Sequence, residues 1–342
     1  MTTATESLLG ESNAFLEIIE QASRLAPLRK PVLIIGERGT GKELIAHRLH
    51  YLSARWDQSF VTINCATLSE SLLETELFGH EAGSFTGAAK RHQGRFERAD
   101  GGTLFLDELA TTSARVQEKL LRVIEYGEFE RVGGAKPLKV DVRLVCATNE
   151  DLPALADKGQ FRHDLLDRLA FDVITLPPLR ERREDILMLA EHFAHSMTRE
   201  LGYPLFAGFS RKATQLLLDY HWPGNVRELK NVVERSIYRQ GNPQLPLSIL
   251  VLNPFDSPWR PQVTQPAQEA RSEVQSASPL ALPLDLKQAV AEYEINLLKQ
   301  AMQQSQYNQR KAAQLLALSY HQFRGMLRKY QLLDGDNDAE QE

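Results

Sequence analysis

The sequence predicts an α/β fold: a parallel sheet with helices on both faces, followed by an all-helical subdomain and a smaller all-helical unit. Three apolar runs with the length of buried strands carry this prediction, and each ends in glycine or polar residues: 31–36, 102–108 and 142–149. Stretches of helical character lie between them, at 42–53, 69–77 and 113–126. Strands alternating with helices are typical of parallel sheets, whose ligands bind beyond the carboxyl ends of the strands.

The remainder of the chain divides into four regions with different patterns. The α/β part extends to residue 174, and from 175 to 252 apolar residues recur at helical spacing, as in "EDILMLAEHFAHSM" and "RKATQLLLDY". Residues 253–283 are rich in Pro, Gln, Ser and Ala, which is typical of a flexible linker. We expect order to return over 284–333 as a small helical unit and to end before an acidic tail at 334–342.

Composition limits the function classes. The chain has 342 residues, 42% hydrophobic and 25% charged, as in ordinary globular proteins, and its net charge of −5 excludes a general polyanion binder. Any nucleic-acid site must therefore be local. Cys65 and Cys146 lie in apolar, strand-like runs without metal-ligand spacing, so we expect reduced core thiols. With no apolar run near the length of about 20 residues that spans a bilayer and no secretion signal, a cytoplasmic protein is expected.

The motif "GERGTGK" matches the phosphate-binding pattern G-x-x-x-x-G-K, and it follows a strand and precedes a helix as that pattern requires. Backbone N–H groups and the helix N-terminus would hold phosphates, and Lys42 would reach the β- and γ-phosphates. The candidate nucleotide-binding residues are Gly36, Glu37, Arg38, Gly39, Thr40, Gly41 and Lys42 of this phosphate loop and Glu43, which follows it. A glycine-rich strand–helix turn is the alternative. Glu43 stands where the pattern has Ser or Thr, so Thr40, water or Asp107 would share the work of binding magnesium.

The strand "GTLFLDE" ends in two carboxylates with different expected roles. Asp107 is placed to bind Mg²⁺, and Glu108 is placed to polarise the attacking water as general base. Capping of the following helix is the alternative for this pair. Asn64, at the end of the strand "FVTIN", is either a turn residue or a polar partner that restrains Glu108.

Other polar residues are candidates for sensing the nucleotide. Thr148 and Asn149 end the third strand and either form a turn or sense the γ-phosphate. In "FRHDLLDRL", Arg162 and Arg168 are either exposed helix arginines, with Arg168 paired to Asp164 at i,i+4, or arginine fingers that enter a neighbouring subunit's site. In "WPGNVREL", Arg227 begins a helix of the helical subdomain and is expected to reach back to the phosphates.

An aromatic loop interrupts the α/β pattern at 80–90, "HEAGSFTGAAK". Two glycines bracket Phe85, and small residues surround it, which is typical of a loop tip and not of a helix or strand. We expect an insertion that exposes Phe85 for contact with a partner, with a packed hairpin as the alternative. The candidate contact residues of this aromatic loop are Gly83, Ser84, Phe85, Thr86, Gly87 and Ala88.

The C-terminal unit has the pattern of a helix-turn-helix. Residues 295–333 contain six Lys or Arg and no Asp or Glu, so positive charge is concentrated there. A first helix would bury Ala312, Ala313, Leu315 and Leu316, and the turn "ALS" follows it. A recognition helix at 320–330, with Ser319 as its N-cap, would bury Phe323, Met326 and Leu327. The candidate DNA-binding residues are Lys311, Ser319, Tyr320, His321, Gln322, Arg324, Arg328 and Lys329. A helical bundle with a basic surface is the alternative, and a preceding helix at 285–303 is a candidate for dimerisation.

Several motifs together resemble the central AAA+ domain of bacterial enhancer-binding proteins, the activators of the alternative sigma factor sigma-54. They are "GERGTGKE", "ELFGHEAGSFTGA", "GGTLFLDE", "FRHDLLDRL", "LPPLRER" and "WPGNVREL". The resemblance covers about residues 8–252, and the C-terminal unit resembles the Fis-type helix-turn-helix of the same family. Ala317 stands where that turn often has glycine, and Ser84 where the aromatic loop has Ala.

The resemblance implies an ATPase that forms a ring, usually a hexamer, binds ATP with Mg²⁺ between subunits and contacts sigma-54 RNA polymerase through the aromatic loop. It implies enhancer DNA as a partner and, with no receiver domain expected before residue 8, control in trans by a negative regulator, the phage-shock protein PspA. Trp56, an aromatic residue in a polar loop, is the candidate regulator contact, or a packed surface residue.

Two other function classes remain open from the residues. One is another DNA-associated AAA+ ATPase, such as a loader or unfoldase, and the other is a DNA-binding repressor with a regulatory nucleotide site. The aromatic loop favours an activator over the first, and the pair Asp107 and Glu108 favours hydrolysis over the second.

Overall fold

A computed structural model describes residues 8–85, 88, 90–257, 259, 286–305, 308–330 and 332. The chain forms two compact units, Met1–Pro258 and Trp259–Glu342, and each is described by itself. The strands of the first unit are β1 (Val32–Ile35), β2 (Phe60–Asn64), β3 (Thr103–Asp107), β4 (Glu128–Glu130), β5 (Pro137–Lys139), β6 (Arg143–Thr148) and β7 (Val173–Thr175).

Five of these strands form one parallel sheet in the order β2-β3-β6-β1-β7. Its register places Asn64 opposite Asp107 and Ile35 opposite Thr148. The carboxyl ends of four strands therefore meet at one edge, and the predicted polar residues follow them. Strand β7 was not among the predicted strands, because its three residues are too few to give a periodic signal. Strands β4 and β5 pair separately as a small antiparallel hairpin.

The helices of the α/β part cover both faces of the sheet, as predicted. They are α1 (Asn13–Leu25), α2 (Lys42–Tyr51), α3 (Glu70–Phe78), α4 (Arg95–Arg98), α5 (Ala114–Tyr126), α6 (Leu152–Asp157) and α7 (His163–Leu169). Side chains alternate along the buried strand β3: Phe105 packs with residues of α1 and α2, whereas Leu104 and Leu106 pack with residues of α3 and α5. Cys65 and Cys146 are buried free thiols in this core, and burial raises the pKa of Cys65 to about 12.

A helical subdomain follows the sheet. It contains α8 (Arg183–Glu200), α9 (Arg211–Asp219) and α10 (Asn225–Gln240), which pack around the fully buried Trp222. The N-terminal segment is fastened to it, because Asp185 at the start of α8 accepts hydrogen bonds from the backbone N–H groups of Glu11 and Ser12 at 2.7 and 2.8 Å. The guanidinium of Arg182 lies 4.0 Å from the ring centre of Phe15 in α1.

The second unit contains α11 (Leu286–Gln304), α12 (Gln309–Leu315) and α13 (Tyr320–Lys329). Ala312, Ala313, Phe323 and Leu327 are buried, as predicted. The prediction for Leu315 is wrong, since its side chain is 56% exposed. Its position on α12 lies about 100° from the stripe formed by Ala312, Ala313 and Leu316.

The turn between α12 and α13 contains one residue with positive φ. Ala317 adopts φ of +54°, the left-handed conformation usually left to glycine. Ser319 caps α13 as predicted: its hydroxyl accepts from the Gln322 N–H, and the Gln322 side chain accepts from the Ser319 N–H at 3.0 Å. The predicted linker at 253–283 lies mostly outside the described residues, and the tail at 334–342 lies wholly outside them. In the described ranges, no helix is long and apolar enough to cross a membrane.

Candidate functional site

The phosphate loop connects β1 to α2 and exposes the N-terminus of α2. Gly36 donates its N–H to the Thr148 carbonyl at 3.2 Å, which joins the loop to the end of β6. Gly39 and Gly41 have φ of +79° and +100°, conformations that side chains disfavour, and Gly41 is the N-cap of α2. Thr40 is buried and donates its hydroxyl to the Glu37 carbonyl at 2.8 Å. The sequence motif thus has the backbone of an anion-binding loop.

Lys42 points back along this loop. Its ammonium donates to the carbonyls of Gly36 and Glu37 at 2.8 and 3.3 Å. Burial lowers the pKa of Lys42, while the nearby carboxylates of Glu108 and Asp107 act in the opposite direction. The lysine and the two candidate catalytic carboxylates therefore share one electrostatic environment. An ammonium held only by neutral carbonyls can transfer its hydrogen bonds to a phosphate.

Asp107 and Glu108 occupy the end of β3 in unlike conformations. Asp107 Oδ1 accepts from the Glu108 N–H at 3.0 Å, and Glu108 has φ of +53°, a strained value for a non-glycine residue. The Glu108 carboxylate is 14% exposed and lies 3.9 Å from Arg38 Nε. Glu108 makes no side-chain capping bond, and α5 is capped by Ser113 instead. These contacts disfavour the helix-capping alternative for the pair.

Asn64 contacts a different carboxylate from the expected one. Its Nδ2 donates to Asp107 Oδ2 at 3.2 Å, so the expected bond to Glu108 is not the one observed. The register of β2 and β3 explains this, because it sets Asn64 directly opposite Asp107. Asn64 also acts as a turn residue, since its Oδ1 accepts from the Ala66 N–H at 2.9 Å.

The end of β6 separates the two remaining candidates. Thr148 is fully buried and its hydroxyl accepts from the Glu150 N–H at 3.0 Å, so it serves the turn. Asn149 donates to Glu150, but its Oδ1 is buried without a hydrogen-bond partner among the described residues. A buried orphan oxygen is unusual and suits Asn149 to sense a ligand. Glu43 faces away along α2, 4.0 Å from His47.

The two arginines of α7 have carboxylate partners of their own. Arg162 forms a two-pronged pair with Asp164 at 2.6 and 3.0 Å, and Arg168 pairs with Glu125 at 3.0 Å. The pair of Asp164 with Arg168, which belonged to the exposed-arginine alternative, is not observed, because Arg162, the N-cap residue of α7, takes Asp164 as its partner. The side chains of Arg162 and Arg168 are 40% and 60% exposed.

The helical subdomain touches the phosphate loop directly. Arg227 donates its N–H to the Gly39 carbonyl at 3.4 Å, and a Cβ added to Gly39 would lie 2.3 Å from the Gly224 carbonyl oxygen. Sequence reasoning missed two further residues here, Asn225 and Arg180, which both contact Glu37. Asn225 lies in the motif "WPGNVREL" and Arg180 in the motif "LPPLRER". These motifs could have marked both residues as candidates, but they do not indicate a partner in the phosphate loop.

The aromatic loop projects from a paired base. His80 pairs with His92 and Val132, and Arg131 joins Glu81 at 2.6 Å and Glu97 at 2.9 Å beneath the loop. Phe85 is 46% exposed and its ring meets His80 edge-on, with centroids 4.9 Å apart. Phe85 is therefore partly exposed, and its ring also packs on His80 at the base of the loop. Ala88 is buried, Gly83 donates to its carbonyl at 2.8 Å, and Thr86 and Gly87 lie outside the described residues.

Most of the candidate DNA-binding side chains are exposed on the surface of the second unit. Those described as exposed are Lys311, Ser319, His321, Gln322, Arg324, Arg328 and Lys329, whereas Tyr320 is half-buried. Lys329 lies 3.6 Å from Glu294 of α11. Trp56, in the first unit, is 64% exposed, which favours the interpretation of a contact residue over that of a packed one.

Comparison with known proteins assigns both parts of the first unit. The sigma-54 interaction domain matches residues 8–175, and the AAA+ ATPase lid domain matches residues 180–253. The chain is 61% identical over 332 residues to the Psp operon transcriptional activator of Escherichia coli K12, covering 97% of this chain and all of that protein. It is 51% identical over 231 residues to nitrogen fixation protein AnfA of Azotobacter vinelandii, covering 68% of this chain and 43% of AnfA.

Solved structures of NtrX, in complex with ATP and with ADP, are similar to this chain. NtrX from Brucella abortus in complex with ATP superposes with a TM-score of 0.66 at 32% identity, covering 95% of this chain and 69% of that one. NtrX in complex with ADP gives the same values. A fold that holds both nucleotides in NtrX is thus the fold of this chain.

Proposed function

This chain belongs to the sigma-54-dependent transcriptional activators, and from that premise we propose that it uses ATP hydrolysis in an oligomeric ring to remodel sigma-54 RNA polymerase closed complexes into open complexes. Its AAA+ domain implies ATPase activity. The observation that carries the proposal is the meeting of Lys42, Asp107 and Glu108 at one edge of the parallel sheet. A regulatory nucleotide site without hydrolysis would not require this set.

The residues at this edge fit a magnesium ion together with a nucleotide. The described residues contain no group of three or more metal-binding side chains. Mg²⁺ commonly needs only one or two carboxylates, because substrate phosphates and water complete its shell. Asp107 would hold the ion, which would neutralise phosphate charge when bound. The Thr40 hydroxyl donates its proton to the Glu37 carbonyl, which leaves its oxygen lone pairs available as a second ligand.

The protein's own groups then divide the work of hydrolysis. Lys42 leaves its carbonyl partners for the β- and γ-phosphates, and the loop N–H groups orient them. Glu108 accepts a proton as water attacks the γ-phosphorus and the bond to the bridging oxygen of ADP breaks. Asn149 and Arg227 would sense the γ-phosphate. Arg162 or Arg168 would leave its carboxylate and enter the neighbouring subunit's site.

Transmission to the polymerase is assigned to the aromatic loop. Phe85 is half-exposed at the tip of a loop whose base is held by Arg131. Gly79 and Gly94, which flank the loop, approach each other closely at its base. The chain then continues from Gly94 to β3, the strand that ends at Asp107 and is followed by Glu108. We assign Phe85 and Thr86 to contact with sigma-54.

DNA binding is assigned to the C-terminal unit. The capped helix α13 presents exposed His321, Gln322 and Arg324 in its first two turns, where base edges are read in helix-turn-helix proteins. Lys311, Arg328 and Lys329 are assigned to phosphates. The likeness to the Psp operon activator supports enhancer DNA near the phage-shock operon as the target. We further propose the phage-shock protein PspA as negative regulator, with the exposed Trp56 as its contact.

A direct test is open-complex formation on a sigma-54 promoter with Mg²⁺ and ATP. We expect the protein to support it, and we expect Lys42→Ala and Glu108→Ala to abolish it. Open complexes formed by either variant would contradict the hydrolytic mechanism, and activation restricted to the housekeeping polymerase would contradict the proposed partner. Footprinting of the full chain on DNA upstream of its own neighbouring operon tests the DNA assignment. A loader or remodelling ATPase would not form open complexes on this promoter.

A further inference from the structure

Glu37, the second residue of the phosphate loop, directs its carboxylate to the helical subdomain. Oε1 and Oε2 accept from the two terminal nitrogens of Arg180 at 2.6 and 3.0 Å, which is a two-pronged ion pair. Oε2 also accepts from Asn225 Nδ2 at 3.1 Å. The ion pair with Arg180 lowers the pKa of Glu37 and keeps the carboxylate charged. One loop side chain thus holds two residues that are far away in sequence.

Asn225 is built into this contact. It is fully buried and has φ of +52°, in the left-handed region that asparagine adopts more often than most residues with a side chain. Its Oδ1 accepts from the Leu179 N–H at 2.8 Å, and its Nδ2 donates to the Arg38 carbonyl at 3.0 Å as well as to Glu37. A single amide therefore joins the phosphate loop, the turn before α8 and the start of α10.

The position of Arg227 depends on this junction. Arg227 lies two residues after Asn225, and its N–H donates to the Gly39 carbonyl at 3.4 Å. The Glu37 carbonyl accepts hydrogen bonds from Lys42 and Thr40. Glu37 therefore contacts the helical subdomain through its side chain and the phosphate-binding lysine through its backbone. A shift of Lys42 toward a nucleotide would change the loop backbone at this residue.

We propose that Glu37, Arg180 and Asn225 form a clamp that holds the helical subdomain against the phosphate loop and so positions Arg227 for nucleotide binding. This inference rests on the proposed function, since it assumes that the loop binds ATP. The side chains of Glu37 and Arg180 are 43% and 39% exposed, and exposed ion pairs add little to stability. The ion pair therefore acts on nucleotide affinity through geometry and only weakly on folding, whereas the buried amide of Asn225 also contributes to stability. Its residues are positioning residues and do not take part in the chemical step.

The experiment compares Arg180→Glu, Asn225→Asp and the swapped pair Glu37→Arg with Arg180→Glu in the full chain. The readouts are the dissociation constant of a fluorescent ATP analogue, KM and kcat for ATP, and the thermal midpoint. Arg180→Glu and Asn225→Asp each set a negative charge against Glu37. We expect both to raise the dissociation constant and KM at least tenfold with kcat changed less than threefold. The swapped pair should recover most of the affinity that Arg180→Glu loses.

Arg183→Glu is the matched control. Arg183 lies three residues along, is 62% exposed, and makes its polar contacts among the described residues with Leu218 and Asp219 of the helical subdomain. We expect the control to bind ATP as the unchanged chain does. Wild-type affinity in both Arg180→Glu and Asn225→Asp would refute the clamp, as would equal losses in Arg183→Glu. A thermal midpoint of Arg180→Glu that falls in step with affinity would also refute it, because Arg180 is exposed and such a fall indicates general unfolding. Failure of the unchanged chain to bind ATP would refute the proposed function instead.

Discussion

Asn64 donates a hydrogen bond from Nδ2 to Oδ2 of Asp107 over 3.2 Å, across the paired strands β2 and β3. The contact holds the candidate magnesium ligand in place through a neutral donor. Replacing that donor by a charge is therefore a sharp test of the local electrostatics, independent of hydrolysis.

Asn64→Asp keeps the shape of the side chain but places the new carboxylate at hydrogen-bonding distance from the carboxylate of Asp107. Like charges this close disfavour joint ionisation, so we expect a loss of about 1–2 kcal/mol and a thermal midpoint lower by about 3–6 °C without Mg²⁺. Added Mg²⁺ should raise the midpoint more in the variant than in the unchanged chain. Asn64→Ser replaces the amide by a shorter hydroxyl without adding charge and should show no extra response to Mg²⁺. An identical response in all three proteins would show that no ion is held beside Asp107.

Thr86→Ala tests the role assigned to the aromatic loop. We expect ATPase activity within about twofold of the unchanged chain and loss of open-complex formation, because the methyl and hydroxyl would face sigma-54 and not the nucleotide. Ser84→Ala is the control, since its buried hydroxyl has no hydrogen-bond partner among the described residues. Loss of ATPase activity and activation together in Thr86→Ala would indicate a packing role.

Gly133→Ala tests the support beneath the same loop. Gly133 has φ of +73°, and a Cβ there would lie 2.5 Å from Ser84 Cβ, so the loop must move. We expect reduced activation with ATPase activity retained, measured on a sigma-54 promoter. Gly202→Ala is the matched control, because Gly202 has φ of +70° but open space around the added atom. Equal effects of the two variants would attribute the result to backbone strain alone.

Asp185→Asn tests the acid sensitivity of the junction between α1 and α8. Burial would raise the pKa of Asp185, but hydrogen bonds from Glu11, Arg182 and Ser12 lower it below its usual value. The carboxylate therefore adds stability that is present above the unfolded pKa of about 3.9 and is lost as pH falls through the folded pKa. We expect the variant to lose about 3 kcal/mol at pH 7, because Arg182 becomes a buried, unpaired charge.

Thermal midpoints followed from pH 7 to pH 3 check this expectation. The gap between the variant and the unchanged chain should narrow below about pH 4, where the native carboxyl also becomes neutral. Asp219→Asn is the control, because Asp219 is 55% exposed and lies 3.9 Å from Arg183. A gap that stays constant with pH would contradict the ionised state of Asp185.

Ala317→Gly tests the turn of the helix-turn-helix. The left-handed conformation costs alanine about 1–2 kcal/mol, and glycine avoids this cost. The greater freedom of glycine in the unfolded chain reduces the gain in stability by about 0.4–1 kcal/mol. We expect a net gain of about 0.5–1 kcal/mol, seen as slower amide hydrogen exchange in α13. Ala312→Gly, in the middle of α12 and fully buried, should speed exchange instead. Slower exchange in neither or both variants would contradict the strained turn.

The fold class and most of the candidate site could be predicted from sequence because their signals are local. An apolar run followed by G-x-x-x-x-G-K, or by two carboxylates, combines strand, turn and chemistry within a few residues, and β1, β3 and β6 lie where these runs indicate. The cap at Ser319 is equally local, since donor and acceptor are three residues apart. Strand β7 and the exposure of Leu315 were missed because a short strand and a helix end have too few residues to define a face.

The sequence by itself determined which residues could carry the chemistry: the phosphate loop, Asp107, Glu108, the aromatic loop and the capped helix α13. Only the tertiary structure decided their partners. Asn64 meets Asp107 and not Glu108 because strand register sets them opposite each other, and Arg168 meets Glu125 because α5 packs on α7. Glu37 meets Asn225 across 188 residues because folding brings the helical subdomain onto the phosphate loop. Side-chain pairing at such separation depends on the packing of whole elements, and no local pattern encodes it.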